Sequence, residues 1–76
     1  MQTKIVKGYK VSVINGLTVY RIDLFSNRYL WFDYSENKPN KIHLVVNNRV
    51  YTSNKYICKY IDFIIDIMKN YKKGVI

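Results

Sequence analysis

The sequence predicts an α+β domain in which a four-stranded antiparallel meander carries one C-terminal helix packed on one face. Residues 54–72 place apolar side chains at helical spacing, whereas residues 4–46 show apolar alternation with a period of two between turn-forming residues. The length of 76 residues suits a single domain, 1–76. Because one helix covers one face of a sheet, the other face needs a separate explanation.

The first two predicted strands form a hairpin. Alternation predicts strands at about 4–14 and 17–25, joined by Asn15-Gly16. This dipeptide is typical of a type I′ turn, in which both central residues have positive φ. A two-residue turn at this position pairs Val11 with Tyr20.

The third strand is predicted at about 29–34, and its turn can be sized from the side chains. A three-residue turn over 26–28 pairs Leu24 with Leu30 and Ile22 with Phe32, which gives one wholly apolar face. A slip by one residue would destroy that face. We therefore expect an odd-numbered loop, with Asn27 or Arg28 in the left-handed region.

The remainder of the chain is predicted to hold one more strand and the helix. Residues 35–41 form a polar loop, and 42–46 form the fourth strand. Asn47-Asn48 either turns into a short fifth strand or lies within a fourth strand that runs on to Tyr51. The helix spans 54–72, with Thr52 or Ser53 as its N-cap and Gly74 at its end.

Alternation and helical spacing together predict the hydrophobic core. Cys58 falls on the apolar stripe of the helix and is expected to be a small buried residue rather than a reactive thiol. The strand positions are Tyr9, Val11, Val13, Tyr20, Ile22, Leu24, Leu30, Phe32, Leu44 and Val46. The helix stripe is Ile57, Cys58, Ile61, Ile64, Ile65 and Met68, flanked by Tyr60, Ile67 and Tyr71.

The sheet face without the helix is unusually aromatic and apolar for a surface in contact with water. Arg21 is expected opposite Asp33, with Asp33 near His43 and Trp31 near Val45. Exposed apolar patches usually mark contact sites, and Trp, Tyr and Arg are enriched at interface hot spots. The alternative is that the N-terminal arm or Tyr51 covers this face. The expected partner-binding residues are Phe25, Tyr29, Trp31, Val45, Arg21 and Lys10.

The charge balance suggests an anionic partner. Thirteen Lys and Arg residues against five acidic residues give a net charge of +8. Such a field attracts phosphate, anionic lipid or an acidic protein. The candidate contacts with nucleic acid or an acidic partner are Lys4, Lys7, Lys38, Lys41 and Arg49.

Catalytic and metal-binding patterns are not apparent. One His and one Cys at unrelated positions predict neither a nucleophile with its base nor a metal site. We therefore expect a protein that is not an enzyme and has no cofactor. The sequence shows no secretory signal and no apolar run of membrane-spanning length, so we expect a cytoplasmic protein.

The order of strands followed by one helix, across residues 9–71, resembles the sheet-reading DNA-binding domains of plant ethylene-response factors and some integrase arms. The Arg-rich strands of those families are missing here. The small size, the absence of Ala and the abundance of residues with AT-rich codons also resemble accessory proteins of phages and mobile elements, many of which block host defence complexes such as CRISPR nucleases.

These observations leave three functions open. The first is a binding protein, of phage or mobile-element type, that docks on and inhibits a host nucleic-acid-handling complex. The second is direct, weakly sequence-specific binding of DNA or RNA through the basic surface. The third is a homodimeric structural module that buries the uncovered face against a second copy.

Overall fold

The computed structural model describes residues 2–15 and 18–72. Their strands form one antiparallel sheet of six strands, and the order of strands across the sheet follows the chain. The α+β class and the single C-terminal helical segment are as predicted. The strands are β1 (Gln2–Val6), β2 (Tyr9–Asn15), β3 (Val19–Asp23), β4 (Arg28–Ser35), β5 (Lys38–Val46) and β6 (Arg49–Tyr51). The helical segment comprises α1 (Asn54–Ile57), a 3₁₀ turn (Cys58–Tyr60) and α2 (Ile61–Lys72).

The predicted strand at 4–14 is in fact two strands. Lys7 and Gly8 both have positive φ, at 51° and 85°, and they turn the chain between β1 and β2. Both central residues of this two-residue turn are left-handed, as in a type I′ hairpin. The optional fifth strand is present as β6, with Asn47 and Asn48 at φ 49° and 68° between it and β5. These two hairpins raise the strand count from four to six.

The prediction of a polar loop over 35–41 was also wrong. Glu36 and Asn37 alone form the turn, with φ values of 53° and 61°, and β5 starts immediately after them. The proline of this stretch, Pro39, lies opposite Tyr34 of β4. Because β6 pairs only with the last three residues of β5, this part of β5 is an edge, where a missing N–H is tolerated.

The strand registers differ from the predicted ones by two residues. Val11 lies opposite Ile22 rather than Tyr20, and Ile22 lies opposite Leu30 rather than Phe32. The direction of the side chains repeats every two residues along a strand, so a shift by two keeps every residue on its predicted face. The assignment of the strand side chains to the two faces of the sheet is therefore preserved, although their neighbours on adjacent strands change.

Two turns account for these shifts. The β3–β4 loop is odd-numbered, as predicted, but its three residues are Phe25–Asn27, because the Leu24 N–H donates to the Arg28 carbonyl at 2.8 Å. Asn27 has φ 59°, in the left-handed region as expected. In the other hairpin, Asn15 pairs with Val19 beyond a β-bulge and is a strand residue. Gly16, the second residue of the predicted Asn15-Gly16 turn, lies outside the described residues.

The core lies between the sheet and the helical segment. One row of directly opposite residues crosses all six strands, and its central members Val11, Ile22 and Leu30 are fully buried. Every strand residue predicted for the core is either buried or packed against the buried cluster. The cluster also contains Val6, Tyr34 and Ile42.

The buried stripe of the helix is rotated from the predicted one. Ile64, Ile67, Met68 and Tyr71 are buried at helical spacing, whereas Cys58 is exposed and Ile61 is 37% exposed. The 3₁₀ turn explains the change, because three residues per turn rather than 3.6 offset the face that precedes it from the face that follows. Ser53 is the N-cap, and its side chain accepts from the Lys55 N–H. The predicted end at Gly74 lies outside the described residues.

Candidate functional site

The sheet face opposite the helical segment is crossed by no other described element. The alternative, in which the N-terminal arm or Tyr51 covers this face, is not observed. The strand β1 pairs edge to edge with β2, and Tyr51 lies opposite Leu44 and packs against the core. Two rows of opposite side chains lie on this face, one running from β3 to β6 and the other from β3 to β5. We call them the open-face patch, which consists of Arg21, Asp23, Tyr29, Trp31, His43, Val45 and Val50.

Arg21 is held in place by two neighbours within the patch. Its Nε donates to Asp23 Oδ1 at 2.7 Å, and its guanidinium carbon lies 3.8 Å from the centre of the Tyr29 ring. The ion pair is partly exposed, so it adds little to stability, but together with the cation–π contact it fixes the direction of the side chain. The predicted pairing with Asp33 is wrong, since Asp33 lies opposite Val19.

Trp31 is the central aromatic residue of the patch. It lies between Arg21 and His43 on the neighbouring strands, and its ring meets the His43 ring edge-on, with centroids 4.8 Å apart. The indole is 37% exposed and lines a depression of about 200 Å³ together with Tyr29, His43, Val45 and Val50. Trp31 was predicted beside Val45, but Tyr29 takes that place.

His43 and Val50 belong to the patch but were not among the predicted site residues. His43 Nδ1 lies 2.7 Å from the Lys41 carbonyl, which can only accept, so Nδ1 donates and the ring is oriented against Trp31. Val50 is 58% exposed at the short strand β6, whose existence the sequence left open. Val45 is buried, so it packs beneath its exposed neighbours and presents little surface to a partner.

Phe25 does not share this face. It lies in the β3–β4 loop, 76% exposed, with its ring centroid 6.1 Å from that of Tyr9. Tyr9 in turn contacts Phe63 of α2 at 5.0 Å, which places Phe25 on the helix side of the sheet. The predicted strand was extended one turn residue too far, so alternation assigned Phe25 to the wrong face. Lys10, in contrast, is on the open face, opposite Ile5.

The five candidate basic contacts are not brought together. Lys4 lies over the Tyr71 ring at 4.5 Å, and Lys7 pairs with Asp66 of α2 at 2.7 Å. Lys38 and Lys41 are exposed near the β4–β5 turn, and Arg49 lies at the opposite end of β5. These five cations are therefore distributed around the molecule and do not form one surface with the open-face patch.

A second concave surface lies between the β3–β4 loop and the helical segment. We call it the helix-side cleft, and its volume is about 600 Å³. Sequence reasoning missed it because it joins residues from β2, the loop and α2 that only the fold brings together. Its lining residues are Tyr9, Leu24, Phe25, Ser26, Arg28, Lys59, Tyr60 and Phe63.

The described residues contain no group of three or more His, Cys, Asp or Glu side chains arranged to hold a metal ion. Cys58 is a free, exposed thiol on the helical segment. Within the same part of the chain, no helix has both the length and the apolar character needed to cross a membrane.

Comparison with protein-family models, with curated proteins and with solved structures found no match to this chain. The fold and its two surfaces are therefore the basis on which a function can be argued.

Proposed function

We propose that this chain is a non-enzymatic binding protein that docks on a partner protein through the open-face patch. The observation that carries the proposal is the composition of the patch. Exposed Trp31 and Val50 stand beside Tyr29, while the charged members Arg21 and Asp23 balance each other in an ion pair. Aromatic residues and Arg on a desolvatable surface are the residues that dominate protein interfaces.

The charges of the patch favour a protein over nucleic acid as the occupant. Phosphate binding requires cations that are free to replace counterions. Arg21 is the cation of the patch, and its guanidinium is already engaged by Asp23. The aliphatic Val50 adds apolar surface that a phosphate backbone would not use.

The patch is also preorganised. Arg21 is fixed between Asp23 and Tyr29, and Trp31 is fixed against His43, whose ring is oriented by the Lys41 carbonyl. Ordering a flexible side chain on binding costs about 0.5–1.5 kcal/mol. Side chains that are already held by their neighbours reduce that cost, which supports a role in recognition.

The kind of partner follows from the charge outside the patch. The chain carries a net charge of +8, to which Arg21 and Asp23 contribute nothing. This field would accelerate association with a partner that is acidic or carries nucleic acid. We therefore predict that this chain is a phage-type accessory protein that acts in the cytoplasm. Its partner would be a host nucleic-acid-handling complex, which it would inhibit.

The test uses Trp31→Ala, with Tyr56→Ala as the matched control, because the two rings are similarly exposed, at 37% and 40%, and Tyr56 lines neither the open-face patch nor the helix-side cleft. Tagged chain recovers partners from nuclease-treated cell extract, mass spectrometry identifies them, and calorimetry with the purified partner gives the Kd. We expect Trp31→Ala to weaken binding at least 30-fold, about the 2 kcal/mol of a hot spot, and Tyr56→Ala to leave it within about twofold.

Two results would contradict the proposal. One is a Trp31→Ala variant that binds the purified partner as tightly as the unchanged protein while retaining the same circular dichroism spectrum. The other is light scattering that gives twice the monomer mass at micromolar concentration, reduced to one monomer by Trp31→Ala. In that case the occupant is a second copy of this chain rather than a different protein.

A further inference from the structure

The helix-side cleft has the size of a ligand site and lies on the opposite side of the sheet from the open-face patch. Its volume of about 600 Å³ falls within the range of about 300–1,000 Å³ that is usual for such sites. The β3–β4 loop forms one wall through Phe25, and the helical segment forms the other through Tyr60 and Phe63. Tyr9 lies between the walls, in ring contact with both Phe25 and Phe63.

Among the large apolar side chains of residues 2–15 and 18–72, that of Phe25 is the most exposed. Its side chain is 76% exposed, although a neighbouring ring and an apolar cleft are within reach. The loop that carries it has two successive left-handed residues, Ser26 and Asn27, and begins directly after Leu24. A flat aromatic ring held at the mouth of a cleft is a platform on which another planar group can stack.

The cations of the cleft differ from the cation of the open-face patch. Arg28 and Lys59 line the cleft, and neither makes an ion pair with any described residue. None of the five acidic residues of the chain is part of the lining. Arg49 adds a third cation nearby, because Arg28 and Arg49 both lie opposite Val46. The cleft therefore combines stacking surfaces with uncompensated positive charge.

We propose that the helix-side cleft binds a nucleobase together with its phosphate, as single-stranded nucleic acid presents them. The base stacks on Phe25, and the adjacent phosphate pairs with Arg28 and Lys59. Stacking requires an unpaired base, so a duplex, whose bases are already stacked, is a poor ligand. An acidic peptide would satisfy the cations but would leave the exposed ring without a planar partner.

The direct test measures the affinity of unlabelled dT and rU oligonucleotides by competition in fluorescence anisotropy. Phe25→Ala should weaken binding by about 5- to 150-fold, which is the loss expected for one stacked base. The double variant Arg28→Gln/Lys59→Gln should make the slope of log K against log salt shallower by about 0.7, because the two cations together neutralise one phosphate of a single strand. Its charge-matched control, Lys38→Gln/Lys41→Gln, removes two exposed cations at the other end of β4 and should change the slope by less than half as much.

Further readouts separate stacking from nonspecific attraction. Phe25→Leu keeps an apolar side chain and removes the ring, so it should lose most of the same affinity. The fluorescence of Trp31 should be unchanged by the oligonucleotide, because Trp31 lies on the other side of the sheet. A free mononucleotide is also tested as a competitor. If it displaces the probe at the same concentration as the oligonucleotide does, the ligand is a single nucleotide, and the proposed stacking and phosphate pairing still hold.

The proposal is overturned if Phe25→Ala and Phe25→Leu bind oligonucleotides normally, if the Lys38/Lys41 control weakens binding as much as the cleft variants, or if Trp31 fluorescence is quenched. It is also overturned if polyglutamate competes as well as oligonucleotide of equal charge. The exposed position of Phe25 makes misfolding of its variants unexpected, and circular dichroism checks this. None of these results depends on whether the open-face patch binds a partner protein.

Discussion

At the scale of single residues, the surroundings of each arginine decide what it can bind. Arg21 is neutralised by Asp23 and stacked on Tyr29, so it offers a shaped surface rather than a free charge. Arg28 is exposed, has no described acidic partner and lines an aromatic cleft, so its charge is available to an anion. The number of cations in the sequence does not distinguish these two roles.

Tyr71 leads to a prediction about stability at high pH. Burial raises the pKa of its hydroxyl above 10.0, and the nearby Tyr20 raises it further. Above pH 10 the unfolded chain therefore releases this proton before the folded chain does. Below pH 10 this group does not change the free energy of unfolding. Between pH 10 and the raised pKa of the folded state, the free energy of unfolding falls by at most about 1.4 kcal/mol per pH unit.

We expect Tyr71→Phe to show a smaller loss of stability between pH 9.5 and 11 than the unchanged protein, measured by urea unfolding. Tyr56→Phe is the control, because Tyr56 is 40% exposed on the same helical segment. Its pH profile should match that of the unchanged protein. Parallel profiles for all three proteins would show that Tyr71 titrates alike in the folded and unfolded chains.

At the scale of elements, the helical segment gives a test of which side faces the sheet. Ile64 is fully buried, whereas Ile61, one turn earlier, is 37% exposed. Ile64→Ala removes the same atoms as Ile61→Ala but leaves a cavity in the core. We expect losses in the free energy of unfolding of about 2–5 kcal/mol for Ile64→Ala and below about 1 kcal/mol for Ile61→Ala.

Urea unfolding monitored by circular dichroism measures both variants, which have identical changes in helix propensity. Similar losses for the two variants would mean that the helix packs along the regular 3.6-residue stripe, which includes Ile61, and that the 3₁₀ turn does not rotate its face.

The faces of the strands could be predicted because side-chain alternation survives an error of two residues. Val11 and Ile22 were placed correctly in the core even though each was given the wrong neighbour. The turns were harder to predict from the sequence, because Lys7 and Glu36 adopt positive φ without belonging to the residue types that favour it. Tertiary pairing imposes those conformations, and local sequence carries little trace of them.

The candidate sites depend on cross-strand neighbours and on strand ends, which alternation leaves undetermined. Trp31, Tyr29 and Arg21 were assigned to the open face from their strand positions, and the structure keeps them there. The ion pair was assigned to the wrong acid, because a shift of two residues moves Asp33 away from Arg21 and leaves Asp23 to bind it. Phe25 was misplaced because its position depends on where the strand ends.

At the scale of the whole molecule, the strand order predicts how stability is distributed. Each strand of the described sheet pairs with its neighbour in sequence, so β1 and β6 form the two edges and β3 and β4 lie in the middle. The central strands pair on both sides and contain the fully buried Ile22, Leu30 and Phe32. Local opening should therefore start at the edges and reach the centre last.

Native-state hydrogen exchange measured by NMR tests this distribution. Amides of Ile22 and Leu30 should exchange only through global unfolding, with an exchange free energy that falls with urea at the full global slope. Amides of β6 should exchange at lower free energy and with little dependence on urea. Equal protection across the sheet would mean that the edges do not open independently of the centre.

The position of the helical segment after all six strands has a consequence for biosynthesis. Every strand pairing is completed by residues up to Tyr51, whereas the side chains that cover the core face, such as Ile64 and Met68, come later in the chain. A sheet without the helical segment would expose Leu30 and Phe32 to water. Chaperones therefore have the most apolar surface to bind when the sheet has formed but the helical segment has not yet folded onto it.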